Sequence, residues 1–321
     1  MTTPDSLVSA TSGSALGDRL FHAVTWFFSA AVLLLLAGVT ATLVQGSLPA
    51  LAEFGVGFFV TSAWDPVMDR YGALVPVYGT LMTALIAMLI GLPLSFGVAF
   101  FLTELCPLSL KRPIGTAIEL LAAVPSIIYG MWGLFVLAPY LQKTVQPALV
   151  STFDGVPILG TLFGGPPVGI GILTAGIILG GMILPYVTSV MRDVFETVPP
   201  ALRESAYGLG ATQWEVVWHV VLPRSSVGVM GGIMLGLGRA LGETMAVTFV
   251  IGNSHNISGS LLAPGTTIAS ALANEFTEAV GDLYSASLMA LGLVLFLITF
   301  AVLAMAKRML LRLQESQGAR A

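Results

Sequence analysis

The sequence predicts an all-α polytopic membrane protein with six transmembrane helices and both termini on the cytoplasmic side. Three observations lead there. Of 321 residues, 56% are hydrophobic and only 9% are charged, against about 25% charged in a soluble domain. So few charges cannot coat a water-soluble surface of this size, and lipid is the apolar surrounding that fits. Six apolar stretches are long enough to cross roughly 30 Å of hydrocarbon, which takes about 20 helical residues. Finally, the basic residues fall almost entirely on one side of the resulting topology.

The stretches cover residues 23–44, 75–102, 114–141, 168–190, 227–251 and 286–306. None alternates apolar and polar residues with the period of two that barrel strands show, so helices are expected throughout. The start of the fourth is blurred by Gly164, Gly165, Pro166 and Pro167, which read as a loop. With both ends inside, Arg19, Lys111, Arg112, Arg192, Arg203, Arg224, Lys307, Arg308, Arg312 and Arg320 are cytoplasmic, and only Arg70 and Lys143 lie outside. The remaining base, Arg239, sits within the fifth helix.

Residues 1–20 are polar and read as a disordered cytoplasmic tail, with an acidic rather than basic start that does not suit a secretory signal. Residues 21–74 form the first transmembrane helix and an outer loop. Residues 75–310 form the core, and 311–321 a second cytoplasmic tail. The last outer loop, 252–284, lacks Lys and Arg, and residues 267–280 suit a short amphipathic helix there. Cys106 is the only cysteine, so no intrachain disulfide is possible. No basic tract argues for nucleic acid. His22, His219 and His255 are too scattered for a metal site.

The longest cytoplasmic loop lies between helices four and five. Pro199 and Pro200 suit a helix start, and Gly208 and Gly210 break or turn the helix. Thr212 with Glu215 three residues on has the form of a capping box for a second helix. The loop therefore reads as two short helices bent at a glycine, presenting Trp214 and Trp218 to a partner. Glu204, then Ala206, then Gly210 six residues after the glutamate, then Val220 and Leu222-Pro223, form a pattern that resembles the cytoplasmic loop of binding-protein-dependent ABC importer membrane subunits. Ser205 departs from the alanine common in that pattern. Residues 119–130, 236–246 and 252–267 extend the resemblance to the PstC-type permease subunits of phosphate ABC importers.

That resemblance implies a type I ABC importer permease fold in a bacterial inner membrane, with phosphate as cargo. It implies coupling to an ATPase through Glu204, Ala206, Gly210, Trp214, Leu222 and Pro223 in the 199–223 loop. The implied partners are a second, PstA-like permease subunit, a PstB-like ATPase dimer that carries ATP and Mg, and a PstS-like extracytoplasmic phosphate-binding protein. No cofactor is expected in this chain. None of its three lysines follows a glycine, so it lacks the phosphate-binding loop of an ATPase. No nucleophile–base constellation points to an enzyme, and no internal repeat points to a secondary transporter.

The residues expected in the substrate path are Arg239, Glu243, Thr244, Ser126 and Tyr129. Arg239 lies about 18 Å into the fifth helix, past the midplane, and a continuous helix would place Glu243 on the same face one turn further out. A lone charge there costs about 2.5–3.5 kcal/mol on insertion scales, so both should face the interior. A guanidinium fork matches phosphate oxygens at any working pH. A carboxylate beside it would accept the proton of hydrogen phosphate and repel sulfate. The alternative is a structural Arg239–Glu243 salt bridge. Gly228, Gly232, Gly236 and Ala240 recur every fourth residue and should form the packing stripe of the same helix. Glu119 is expected to pair with a basic residue of the inner loops, with gating of the path as the alternative, and Pro93 and Pro125 to bend helices two and three.

Overall fold

The computed structural model describes residues 14–318, with side chains described for 17–312. Its long helices are α1 (Ser14–Phe54), α2 (Leu74–Leu105), α5 (Ile172–Glu196), α7 (Gln213–Gly242) and α10 (Asp282–Gly318). Together α3 (Leu108–Ala122) and α4 (Ser126–Phe153), which meet at a 90° bend, are long and apolar enough for a sixth span. Shorter helices are α6 (Pro200–Gly208), α8 (Met245–Val250) and α9 (Ile268–Glu275). The chain is a multi-pass helical bundle, as its apolar runs require.

Two of the expected continuous spans are broken. The run 114–141 is not one helix: Pro125 has no N–H to give to the Leu121 carbonyl, and the chain turns by 90° at this point. The run 227–251 is interrupted as well. Helix α7 stops at Gly242, Glu243 is extended at φ −70° and ψ 129°, and α8 starts afresh at Met245. Other ends run further than the apolar cores suggested. Helix α1 is already helical at Ser14, inside the stretch assigned to the N-terminal tail, and α10 continues through residues assigned to the C-terminal tail. Residues 1–13 and 319–321 lie outside the described residues.

Helix α5 is the buried centre and packs most extensively on α2. The glycine stripe of α7 faces α5, as its spacing demands: Cβ atoms at Gly228, Gly232 and Gly236 would meet Val194, Val190 and Val187 in turn. Ala240 closes the stripe, buried to 4% exposure. A Cβ on Gly236 would lie 2.7 Å from the Val187 side chain. Gly236→Val should therefore push the two helices apart and cost about 1–3 kcal/mol, read as a lower melting temperature of the detergent-purified protein. By contrast, α1 lies at the periphery against α10, with an apolar surface left to lipid.

At the end of the bundle that carries α9, Glu275 ties three segments together. It accepts hydrogen bonds from Trp64 Nε1 at 2.6 Å and Tyr284 Oη at 2.8 Å, and pairs with His255 Nε2 at 2.7 Å. Trp64 stacks on His255, and Tyr71 on Tyr284. The expected amphipathic helix of this loop is α9, capped by Thr267 with Ser270. Burial raises the Glu275 pKa, but the bonds from His255, Tyr284 and Trp64 outweigh it and hold the carboxyl below its usual range. Its stabilising effect is therefore present above the ordinary carboxylate pKa and is lost as pH falls through the depressed value. Glu275→Ala leaves three half-buried partners unmatched and should lower the melting temperature at pH 7, with the difference from the parent shrinking in acid.

Candidate functional site

The connection between α5 and α7 keeps the expected proline start, glycine bend and capping box, but its second helix is not a separate short one: it runs on as α7, from Gln213 to Gly242. Pro199 precedes α6 and Pro200 occupies its first turn. Gly210 takes φ +87°, a left-handed conformation that L side chains rarely adopt, and turns the chain between the two helices. The Thr212 hydroxyl then accepts the Glu215 N–H at 3.4 Å, and Glu215 Oε2 accepts the Thr212 N–H at 2.8 Å, so both halves of the capping box form. Beneath this hairpin, Val216 and Val221 are buried with Val187, Met191 and Phe195 of α5, and Ala206 and Ala211 pack against them.

The other side of the hairpin faces outward. Leu209 is 90% exposed, Trp214 58% and Trp218 46%. The two indoles lie 5.2 Å apart. Glu204 and Pro223 are exposed, and Leu222 is half-buried where α7 leaves the hairpin. Ala206, Leu209, Gly210, Ala211, Glu215, His219 and Val220 line a shallow recess of about 400 Å³. The residues of the sequence pattern thus divide in two: Ala206 and Leu222 seat the hairpin, while Glu204, Trp214 and the Gly210 turn are presented outward. Large exposed apolar side chains on a surface rimmed by polar groups mark a protein interaction site.

Basic residues of separate segments meet acidic ones at this same end of the bundle. Glu119 does pair with an inner-loop base, Arg192 Nη2 at 2.9 Å. Lys111 pairs with Glu196 at 2.9 Å, and Arg203 with Glu104 at 3.3 Å. The hairpin and the basic side of the topology are therefore one face.

Deeper in the bundle, the two broken spans pack against each other. Gly130 of α4 lets Ala246 and Phe249 of α8 approach, so that a Cβ at Gly130 would meet the Ala246 Cα at 2.9 Å. The Pro125 break exposes backbone carbonyls, and tyrosines take them up. The Tyr129 hydroxyl donates to the Leu121 carbonyl at 2.9 Å, the acceptor that Pro125 cannot serve. The Tyr186 hydroxyl donates to the neighbouring Ala122 carbonyl at 2.6 Å. The Arg239 guanidinium lies 4.3 Å from the centre of the same Tyr186 ring. Its Nε is buried without a hydrogen-bond partner, and it borders a recess of about 460 Å³ with Gly231, Met234, Leu235, Gly238 and Leu303.

Glu243 differs from the helical i+4 expectation. The end of α7 removes it from the Arg239 face, and among the described residues no Arg239–Glu243 ion pair forms within 4 Å. Its Oε1 instead accepts the Ala246 N–H at 3.3 Å across the break. The Thr244 hydroxyl donates to the Gly242 carbonyl at 3.3 Å. The structure thus brings Arg239 and Tyr129 to neighbouring carbonyl-capping tyrosines and sets Glu243 and Thr244 in the second break. Ser126 is half-buried in the first turn after Pro125. Tyr186 was not singled out from the sequence. The available signal was an aromatic hydroxyl in the middle of a largely apolar helix, which needs a partner in lipid.

Residues 107–314 match the sequence pattern of binding-protein-dependent transport system inner membrane components. The chain belongs to this family. Two solved structures share its fold: the chain superposes on a methionine ABC transporter in an inward-facing conformation with a TM-score of 0.58 at 15% identity, covering 78% of this chain and 99% of that one. A bacterial ABC transporter that imports alginate gives 0.59 at 16% identity over 92% and 99%. Curated relatives are much nearer in sequence. The phosphate transport system permease protein PstC of Mesorhizobium japonicum is 60% identical over 95% of this chain and 93% of its own. The protein of that name from Pasteurella multocida is 55% identical over 94% of each. A probable PstC of Methanocaldococcus jannaschii is 39% identical over 80% and 82%.

Proposed function

We propose that this chain is the permease subunit of an ABC importer that carries inorganic phosphate across the bacterial inner membrane into the cytoplasm. The observation that carries the reading is the 60% identity to a phosphate permease along almost the whole of both chains. The exposed, capped hairpin at the basic end of the bundle supports it, because a permease without its own nucleotide site needs a surface through which a separate ATPase can act.

In this reading the partners are a second, PstA-like permease subunit, a PstB-like ATPase dimer holding ATP and Mg, and a PstS-like external phosphate-binding protein. The hairpin seats in the ATPase through Trp214 and the Gly210 turn, with Glu204 beside them. Closure of the ATPase dimer pulls on the hairpin. Because Ala206, Val216 and Val221 are packed under it on α5, the pull reaches the centre of the bundle. The helices then rock between outward and inward openings.

Phosphate passes the two broken spans. Arg239 offers a charge that does not titrate away and a planar fork suited to oxyanions. Tyr186 orients it from below the guanidinium plane, and the missing Glu243 ion pair leaves its charge available to an anion. Glu243 accepts the proton of hydrogen phosphate in a hydrogen bond and repels sulfate, which carries none at neutral pH. Thr244, Ser126 and Tyr129 supply neutral hydroxyls along the same route. The test is labelled phosphate uptake in cells that lack their own high-affinity importer and carry the full complex with this chain. Uptake should continue in a large excess of sulfate. Uptake blocked by sulfate would assign the importer to another oxyanion.

A further inference from the structure

The hairpin is held to the bundle by its apolar underside, yet it also carries one ion pair that adhesion does not require. Arg203 lies in α6, immediately before Glu204. Its Nη2 is 3.3 Å from Glu104 Oε1, in the π-helical turn Phe101–Leu105 that ends α2. The same Nη2 donates to the Phe195 carbonyl at the end of α5 at 2.6 Å. The side chain of Glu104 is only 7% exposed and that of Arg203 20%. One guanidinium therefore joins the hairpin to the ends of the two most extensively packed helices of the bundle.

The pair is also poorly satisfied. Glu104 Oε1 is within ion-pair distance but outside hydrogen-bond alignment, and Arg203 Nε is buried with no partner. Buried ion pairs repay their desolvation only with good geometry and full hydrogen bonding, so this one is a weak source of stability. A buried polar atom left without a hydrogen-bond partner calls for an explanation other than stability. Helix α2 supports that view. Its last turn is π-helical, a form that is rare and frequent at functional sites.

We propose that Arg203 and Glu104 are positioning residues for coupling: the guanidinium makes the cytoplasmic ends of α2 and α5 follow the hairpin when the ATPase moves it. The proposal rests on the ATPase-docked reading of the hairpin and adds the route by which motion leaves it. A rotation of α6 that brings Nε onto Glu104 would align the pair and draw α2 with it. The apolar contacts beneath the hairpin carry the pull to α5, and the ion pair adds a directional link to the end of α2.

The test uses the complete transporter reconstituted in vesicles and reads phosphate delivered per ATP hydrolysed. Glu104→Gln, Arg203→Gln and the apolar double variant Glu104→Leu with Arg203→Leu are compared with the parent. The expected result is that the variants retain the ATPase through purification while phosphate per ATP falls by about tenfold or more, within the usual span of coupling between sites. The double variant removes both charges and leaves neither buried alone, so a pair that merely stabilises the fold would be replaced without loss of coupling. Parental stoichiometry in the double variant, or in Glu104→Gln, overturns the proposal. So does failure of all three to assemble, which would make the pair a requirement of folding. Gly210→Val is run alongside: parental coupling in that variant would instead remove the docking reading itself, whatever the Arg203 variants do.

Discussion

Arg239→Ala should reduce ATP-driven phosphate uptake by between about tenfold and a hundredfold, the equivalent of one hydrogen bond to a charged group at about 1.5–3 kcal/mol. The effect should exceed that of substitutions at Ser126 or Thr244, because Arg239 supplies the charge and they supply only dipoles. Its position argues against a structural role. A packing salt bridge would need Glu243 on the same helical face, and the end of α7 at Gly242 takes Glu243 away from it. What holds Arg239 is a tyrosine ring at 4.3 Å. Arg239→Lys keeps the charge but loses the planar stacking and the fork, so it should recover only part of the uptake. Initial rates against phosphate concentration, with ATP hydrolysis followed in parallel, measure this. An Arg239→Ala transporter with parental uptake would return the residue to a structural role.

Gly210→Val should uncouple the hairpin from the ATPase. At φ +87° a non-glycine residue is strained, with no neighbouring atom to blame, since a Cβ there would meet nothing within 4 Å. The left-handed conformation costs about 1–2 kcal/mol for an ordinary L residue, and a β-branched one is worse. Relief of that strain re-aims α6 relative to Trp214 and Trp218. The expected outcome is loss of ATPase co-purification, or retained hydrolysis that no longer drives uptake. Gly210→Asn should be milder, because asparagine tolerates this region. The graded series separates conformation from bulk: an Asn variant as damaged as the Val variant would point to a steric contact with the partner instead.

The helical fold was legible because lipid enforces long apolar runs and one-sided positive charge. The glycine stripe of α7, the capping box at Thr212 and the Glu119 ion pair were legible for similar reasons: each depends on residues at fixed spacing or on a single cheap partner choice. The breaks were less so. Pro125 marks a bend but not its size, and a 90° turn is decided by what packs on either side. The break at Glu243 carries no proline at all. There Ala246 lies close against Gly130, a tertiary contact without a local signal. The Tyr186 cap on Ala122 and the Arg203–Glu104 contact span 64 and 99 residues of sequence separation. Such contacts have no local signal and follow only from the tertiary arrangement.

The most direct measurement is accumulation of labelled phosphate in vesicles containing the purified complex of this chain with its second permease, ATPase and binding protein. Accumulation should require ATP hydrolysis, proceed in excess sulfate, and stop when the ATPase cannot close. ATP-independent accumulation, or ATP-driven accumulation of sulfate in preference to phosphate, would contradict the account.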